Sequence, residues 1–313
     1  MTRIERRQLA SKRLQSVLSA QIVANSRTLE NKISDAGPAN QRIEPHVLTP
    51  VRQDLEKTGR ILRTGAHTAW FHLADTPPDQ VDERLLTLRG IHDQLVKQDF
   101  TLRLGQTLEI AIFRALRANP PCEFLGSFSD LEDHDDSTPY SREEPPNAIS
   151  GESMPGKKRL DFILLSEHGR VGVEAKNIRE WLYPQSAEVR ELLLKCCTIG
   201  AVPLLVARRL PYITFSLLNA CGVILHQTYN QLFPSTDAEL AAKAKDKNLL
   251  GYHDIRIGNA PDARLTKFIR DNLPKILPAA RARFDASKEL LYRYASFEIE
   301  YHEFLNEVSQ SRK

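Results

Sequence analysis

The stretch AVPLLVARR (201–209) is apolar at almost every position as far as Ala207, and VIL at 223–225 repeats the pattern. A strand directs successive side chains to opposite faces, so an unbroken apolar strand has no face that water can cover. Each of these segments must therefore lie inside a sheet that is roofed on both sides. Helical periods fall between them, in SAEVRELLLKCCTIG (186–200) and ITFSLLNACG (213–222). Strands alternating with helices in this way predict an α/β sheet.

Further strands are expected at CEFLGSF (122–128), RLDFILL (159–165) and GRVGVEAKN (169–177), with an acidic, Pro- and Ser-rich loop over 129–157. Helices are expected over 100–118 and, opened by two prolines, over 77–98. Upstream, residues 4–34 read as one long polar helix. LTPVRQDLEKTG (48–59) reads as a helix with Thr49 as N-cap, Pro50 at its first position and Gly59 as its stop. RILR, a TGAH turn and TAWFHL then read as a hairpin. Helix, helix and two-stranded wing is the order of a winged helix-turn-helix, which docks its second helix on DNA. Arg52, Gln53 and Lys57 lie off the Val51/Leu55 stripe, as reading residues would, with Arg60 and Arg63 beside them. The organisation expected is a winged helix over 1–76, a connecting helix over 77–99, a catalytic α/β domain over 100–234 and a C-terminal helical extension over 235–313. In that extension Phe284, Leu291, Tyr294, Phe297, Tyr301 and Phe304 form an aromatic stripe suited to a core or dimer contact.

Charge is distributed unevenly. Residues 1–63 hold twelve Lys/Arg and six acids, whereas 123–144 hold eight acids and Arg142 alone. The first suits a polyanion partner and the second repels one. No apolar run approaches the roughly 18 residues of a membrane span, and the N-terminus lacks a signal-peptide pattern, so a cytoplasmic protein is expected. Four cysteines without a CxxC suit reduced apolar fillers. No phosphate-loop or zinc motif is present.

GRVGVEAKN carries the chemistry. Val171, Val173 and Ala175 share one face, and Gly172, Glu174 and Lys176 share the other. Asp161 precedes it on the neighbouring strand, and a hairpin of that length brings Asp161 near Glu174. In TLRLGQTLEIAIFRAL, Ile112, Phe113 and Leu116 follow Glu109 by three, four and seven residues, so Glu109 lies on the buried stripe. Three carboxylates beside one lysine leave excess negative charge, which a hard divalent cation relieves.

Asp161…Glu174-Ala175-Lys176, with Glu109 on the preceding helix, resembles the PD-(D/E)xK superfamily of restriction-endonuclease-like nucleases over roughly residues 100–234; Leu160 stands where that motif's proline would be. The resemblance implies a restriction-endonuclease-like mixed sheet flanked by helices and metal-dependent hydrolysis of DNA phosphodiester bonds. It also implies Asp161, Glu174 and Glu109 as ligands of Mg²⁺ or Mn²⁺, with Lys176 assisting the water nucleophile. A homodimer suits cutting of both strands. Two alternatives stay open: a non-catalytic DNA-binding regulator with a nuclease-like fold, and a structure-specific or RNA nuclease. Arg208 and Arg209 are read either as phosphate contacts or as solvated strand ends. Gln227, Asn230 and Gln231 can approach substrate, His226 is read as a satisfied histidine near the core, and the 129–157 loop is read as a mobile lid or an inhibitory segment.

Overall fold

The computed structural model describes residues 1–35, 41–156 and 158–311. They form two compact units, one comprising 1–101 with 237–255 and the other 102–236 with 256–313.

The first unit opens with α1 (Arg3–Gln21), started by a reciprocal cap between Thr2 and Glu5, with Ala10, Leu14 and Leu18 forming its narrow buried stripe. The expected single helix over 4–34 is instead broken. Ile22 takes a left-handed backbone (φ 66°), and the apolar run that follows places Ala24 and Asn25 in a short strand, β1 (Ala24–Asn25). The Asn25 side chain then caps a new helix, α2 (Ser26–Ile33), by accepting the Thr28 N–H. Because Ile22, Val23 and Ala24 are apolar, sheet pairing and burial outweigh continuation of a polar helix. The AGPAN stretch expected to follow lies outside the described residues.

Helix α3 (Pro45–Lys57) also begins earlier than expected. Pro45 takes its first position, Glu44 is the N-cap and Pro50 lies inside. Thr49 is therefore not a cap. Buried Pro45, Leu48, Val51 and Leu55 make one stripe, so packing of the extra turn offsets the backbone bond that Pro50 cannot donate. The helix stops at Gly59 as expected. Gly59 (φ 68°) lets its own N–H reach Glu56 O and that of Arg60 reach Leu55 O, at 3.0 Å each, a Schellman closure. Strands β2 (Ile61–Thr64) and β3 (Trp70–Leu73) form the expected hairpin, and β1 adds to β3 to give the order β1-β3-β2. α4 (Pro78–Leu95) follows.

In the second unit, α5 (Gln98–Ala118) leads to β4 (Glu123–Leu125) and to the segment expected as an irregular loop. That segment contains two small ladders, β5 (Ser127–Phe128) with β6 (Arg142–Glu143) and β7 (Ala148–Ile149) with β8 (Glu152–Ser153). Next come β9 (Phe162–Ser166), β10 (Gly169–Lys176), α6 (Ala187–Thr198), β11 (Val202–Ala207), α7 (Tyr212–Ala220), β12 (Ile224–Gln227) and β13 (Gln231–Phe233). The main sheet is mixed, in the order β12-β11-β10-β9-β4. Strand β9 runs antiparallel to both β4 and β10, and β10, β11 and β12 are parallel through the α6 and α7 crossovers. Every residue of β11 is buried, as its composition requires.

The single C-terminal extension expected over 235–313 divides between the units. α8 (Ala238–Lys245) and the turn after it belong to the first. There Lys247 O accepts from Gln21 and Lys32, Gly251 O accepts from Asn31, and Asn248 O accepts from Arg84. A short strand, β14 (Ile255–Ile257), leads back to the second unit. That unit closes with α9 (Ala263–Lys267), a π-helical turn, α10 (Leu273–Ala295) and α11 (Tyr301–Gln310). Phe284, Leu291, Tyr294 and Phe304 are core residues, whereas Phe297 is exposed and lies under the Arg190 guanidinium. Among the described residues no helix is long and apolar enough to cross a membrane.

Candidate active site

The β9–β10 hairpin determines which acids meet. Its register pairs Phe162 with Val173, and the Asp161 N–H donates to Val173 O at 3.0 Å. Asp161 thus comes opposite Glu174, and its Oδ2 accepts the Ala175 N–H at 2.6 Å. Both acids are buried. Lys176 follows on the same face and its Nζ lies 2.7 Å from Glu174 Oε1.

A second lysine holds the other oxygen of Glu174. Lys195 Nζ of α6 lies 3.1 Å from Glu174 Oε2, 2.9 Å from Glu191 Oε1 and 2.8 Å from Arg159 O. Gly172 makes this possible. A Cβ there would sit 2.5 Å from Cys196 Sγ and 2.8 Å from Leu160 Cδ1, so only glycine lets α6 pack this closely on β10. The two lysines differ in access. The Lys195 side chain is 3% exposed and Lys176 is 24% exposed, so Lys176 alone of the pair can meet a substrate.

Glu109 lies on the buried stripe of α5 as expected. It reaches Asp161 through a residue from the acidic segment. Arg142 Nη1 is 2.8 Å from Glu109 Oε2, and Nη2 is 3.1 Å from Asp161 Oδ1 and 2.9 Å from Asp161 O. Burial and the neighbouring Asp161 charge push Glu109 up to about 8 although Arg142 opposes them, so this carboxyl keeps its proton near neutral pH. Burial, then Asp161, also raises Glu174, against the pull of Lys176 and Lys195. Burial works against the charges of Lys176 and Lys195, but the surrounding acids together outweigh it, Glu174 with Asp161 and Glu191 for Lys176 and Glu174 with Glu191 for Lys195, and both lysines are raised.

The excess negative charge expected here is offset by further bases: Arg142 and Lys195 join Lys176 as partners of Glu109, Asp161 and Glu174, and Lys195 also pairs with Glu191. Among the described residues, no group of three or more His, Cys, Asp or Glu is arranged to hold a metal ion. The donors nonetheless suit a hard divalent cation in kind, since Glu109, Asp161 and Glu174 offer only carboxylate oxygens. Arg142 already supplies positive charge between two of them, so a cation gathering these acids would have to take over its role.

Arg142 and Lys195 are the residues the sequence reading missed. Lys195 follows Leu192 by three residues and precedes Ile199 by four, the spacing that marked Glu109. Arg142 is the one base among eight acids. The segment that carries it is tied down. Asp136 accepts from the Ser235 N–H at 2.8 Å and from Asn259 Nδ2 at 3.0 Å, and the Tyr140 hydroxyl also donates to it. Gln106 brackets the Tyr140 backbone at 2.8 and 3.0 Å.

Arg208 and Arg209 are buried rather than solvated; Arg208 donates to the carbonyls of Ile178 and Arg179. Gln227 Oε1 accepts the Leu210 N–H at 3.0 Å, and Gln231 Nε2 donates to Asn177 O at 3.0 Å. His226 is packed on Phe268, with ring centroids 4.3 Å apart, but among the described residues its buried Nε2 has no hydrogen-bond partner. It is therefore not the satisfied histidine expected. The four cysteines are free thiols.

In the first unit, Gln53, Lys57, Arg60 and Arg63 are exposed. Arg52 is not presented to solvent. It pairs with Glu56 at 3.0 Å and lies 4.3 Å over the Phe71 ring. Arg60 Nη2 donates to Gln15 Oε1 at 2.9 Å.

Comparison with family models, with curated proteins and with solved structures finds no match for this chain.

Proposed function

We propose that the α/β unit is a metal-dependent phosphodiesterase of the restriction-endonuclease-like type, cutting DNA, and that the first unit is a winged helix-turn-helix that holds the DNA. The observation that carries the reading is Asp161 opposite Glu174 on adjacent antiparallel strands, with the partly exposed Lys176 on Glu174. The strand order β12-β11-β10-β9-β4 supports it. For the first unit the support is the element order α1-β1-α2-α3-β2-β3, with exposed Gln53, Lys57 and Arg63 on or beyond α3.

Asp161, Glu174 and Glu109 would hold Mg²⁺ or Mn²⁺, which when bound polarises a phosphoryl oxygen and lowers the pKa of water. Lys176 holds the attacking water by hydrogen bond and offsets charge that develops on the phosphoryl oxygens. Lys195, too buried to touch substrate, is a positioning residue that fixes the Glu174 carboxylate. Arg142 holds Glu109 and Asp161 until substrate and cation enter. A homodimer would provide one such site for each strand.

That each of these acids already has a basic partner favours a second reading, in which the cluster is structural and the protein binds DNA without cutting it. A panel of duplex, single-stranded and branched DNA and of RNA, with Mg²⁺ or Mn²⁺, separates the two. The nuclease reading expects cleavage by the native chain and none by Asp161→Ala or Lys176→Ala at unchanged DNA affinity. Failure of the native chain to cut any substrate refutes it.

A further inference from the structure

We infer that the Tyr229–Asn230 turn, with Arg256 and Arg264, is a binding site for an unpaired nucleotide of the substrate strand. The inference rests on the nuclease reading only for where that strand runs. Tyr229 has a left-handed backbone (φ 64°), uncommon for an aromatic residue and kept only where surroundings impose it. As a residue Tyr229 is 37% exposed. Arg264 lies 4.1 Å and Arg209 5.2 Å over its ring. Arg256 Nε donates to Asn230 Oδ1 at 3.3 Å. Arg256 and Arg264 are exposed, and among the described residues neither makes an ion pair.

A cleft of about 360 Å³ opens beside the turn, lined by Leu108, Leu232 and Leu265 together with Thr228, Asn230 and Arg256. This is the size and make-up of a small-ligand site, apolar with a few polar groups. The one acid on its lining, Asp262, accepts the Leu265 N–H as a helix cap. An exposed aromatic residue, the Arg256 and Arg264 guanidinium groups without ion pairs among the described residues, and an apolar cleft match one nucleotide. The ring and cleft take the base and the arginines take the phosphate. A continuous duplex keeps its bases stacked inside and offers nothing to the ring or the cleft.

The site also lies where the strand would pass. The sheet register aligns Lys176 with Ala207 and Ala207 with Gln227, so the 228–230 turn leaves the same end of the sheet as Lys176. Two strand spacings separate them, about 10 Å, within reach of a neighbouring nucleotide of the strand being cut.

The test measures binding of labelled single-stranded and duplex oligonucleotides to the full chain without divalent cations, so that no cleavage intervenes. Tyr229→Asn keeps a residue that accepts the left-handed backbone but lacks the ring. It is expected to weaken single-strand binding about fivefold or more, with Tyr229→Phe near the native value and duplex binding within about twofold. Arg256→Ala and Arg264→Ala should each lower the slope of log affinity against log salt on single strands by about 0.7. Unchanged single-strand binding, or equal loss on duplex and single strand, overturns the inference. Loss confined to single strands in a chain that cuts nothing would keep the site and remove the nuclease reading instead.

Discussion

Arg142→Ala removes the cation shared by Glu109 and Asp161, and breaking a largely buried pair costs about 3 kcal/mol. Glu109 has its pKa raised from the ordinary carboxylate range to about 8. Stability from its protonated form is thus complete below the ordinary value and is lost as pH rises through 8. Arg142→Ala is accordingly expected to lower the melting temperature more at pH 8 than at pH 5, and Mg²⁺ should restore part of the loss if the acids can hold it. A melting temperature equal to the native one at pH 8 would mean the bridge contributes nothing. His226 behaves in the opposite sense. Burial pushes its imidazole down to about 4, so the unfolded chain takes up a proton between about pH 6.5 and 4 that the folded chain refuses, and stability falls as pH drops through that window. His226→Phe retains the contact with Phe268 and should be about 2 kcal/mol more stable than the native chain at pH 5, with little difference at pH 7.5. Denaturant titrations at the two pH values check this, and an equal effect at both would contradict it.

At the scale of elements, the closeness of α6 to β10 fixes the second lysine, and Gly172 is the position that permits it. Gly172→Ala should destabilise by about 1–3 kcal/mol through overpacking against Cys196 and Leu160 and loosen Lys195 from Glu174; native thermal stability would show that the helix has room to spare. This contact also marks the limit of what was legible. The unbroken apolar run at 201–207 and the alternation in GRVGVEAKN are strong local signals, so the strands, the crossover helices and the shared face of Glu174 and Lys176 could be read directly. The hairpin between 159 and 177 fixed the place of Asp161 by its length. Arg142 could not be placed, because it reaches the site through a turn anchored by Asp136 and Gln106, contacts distant in the chain that leave no periodicity. The N-terminal helix was misread for a related reason. Its break at Ile22 depends on pairing with β3 some 45 residues away, and the start of α3 at Pro45 depends on burial of Leu48 rather than on Thr49 as a cap.

At the scale of the molecule, two units with different chemistry share one chain. The first carries a local excess of basic residues over 1–63, and the second a buried cluster in which acids meet basic partners. If the first unit holds DNA, Lys57→Ala and Arg63→Ala should each reduce the salt slope of duplex binding by about 0.9 while leaving the other unit's stability unchanged; an unaltered slope would turn attention to protein partners. Under the proposed function, Asp161, Glu174 and Lys176 of the second unit act together on a phosphodiester. The most direct measurement of this is divalent-dependent cleavage of labelled DNA by the native chain beside Asp161→Ala and Lys176→Ala, with folding and DNA affinity monitored for all three. Cutting is expected from the native chain alone, with the variants folded and still bound to DNA. Cutting that survives both substitutions, or no cutting by the native chain on any substrate, would contradict the proposed function.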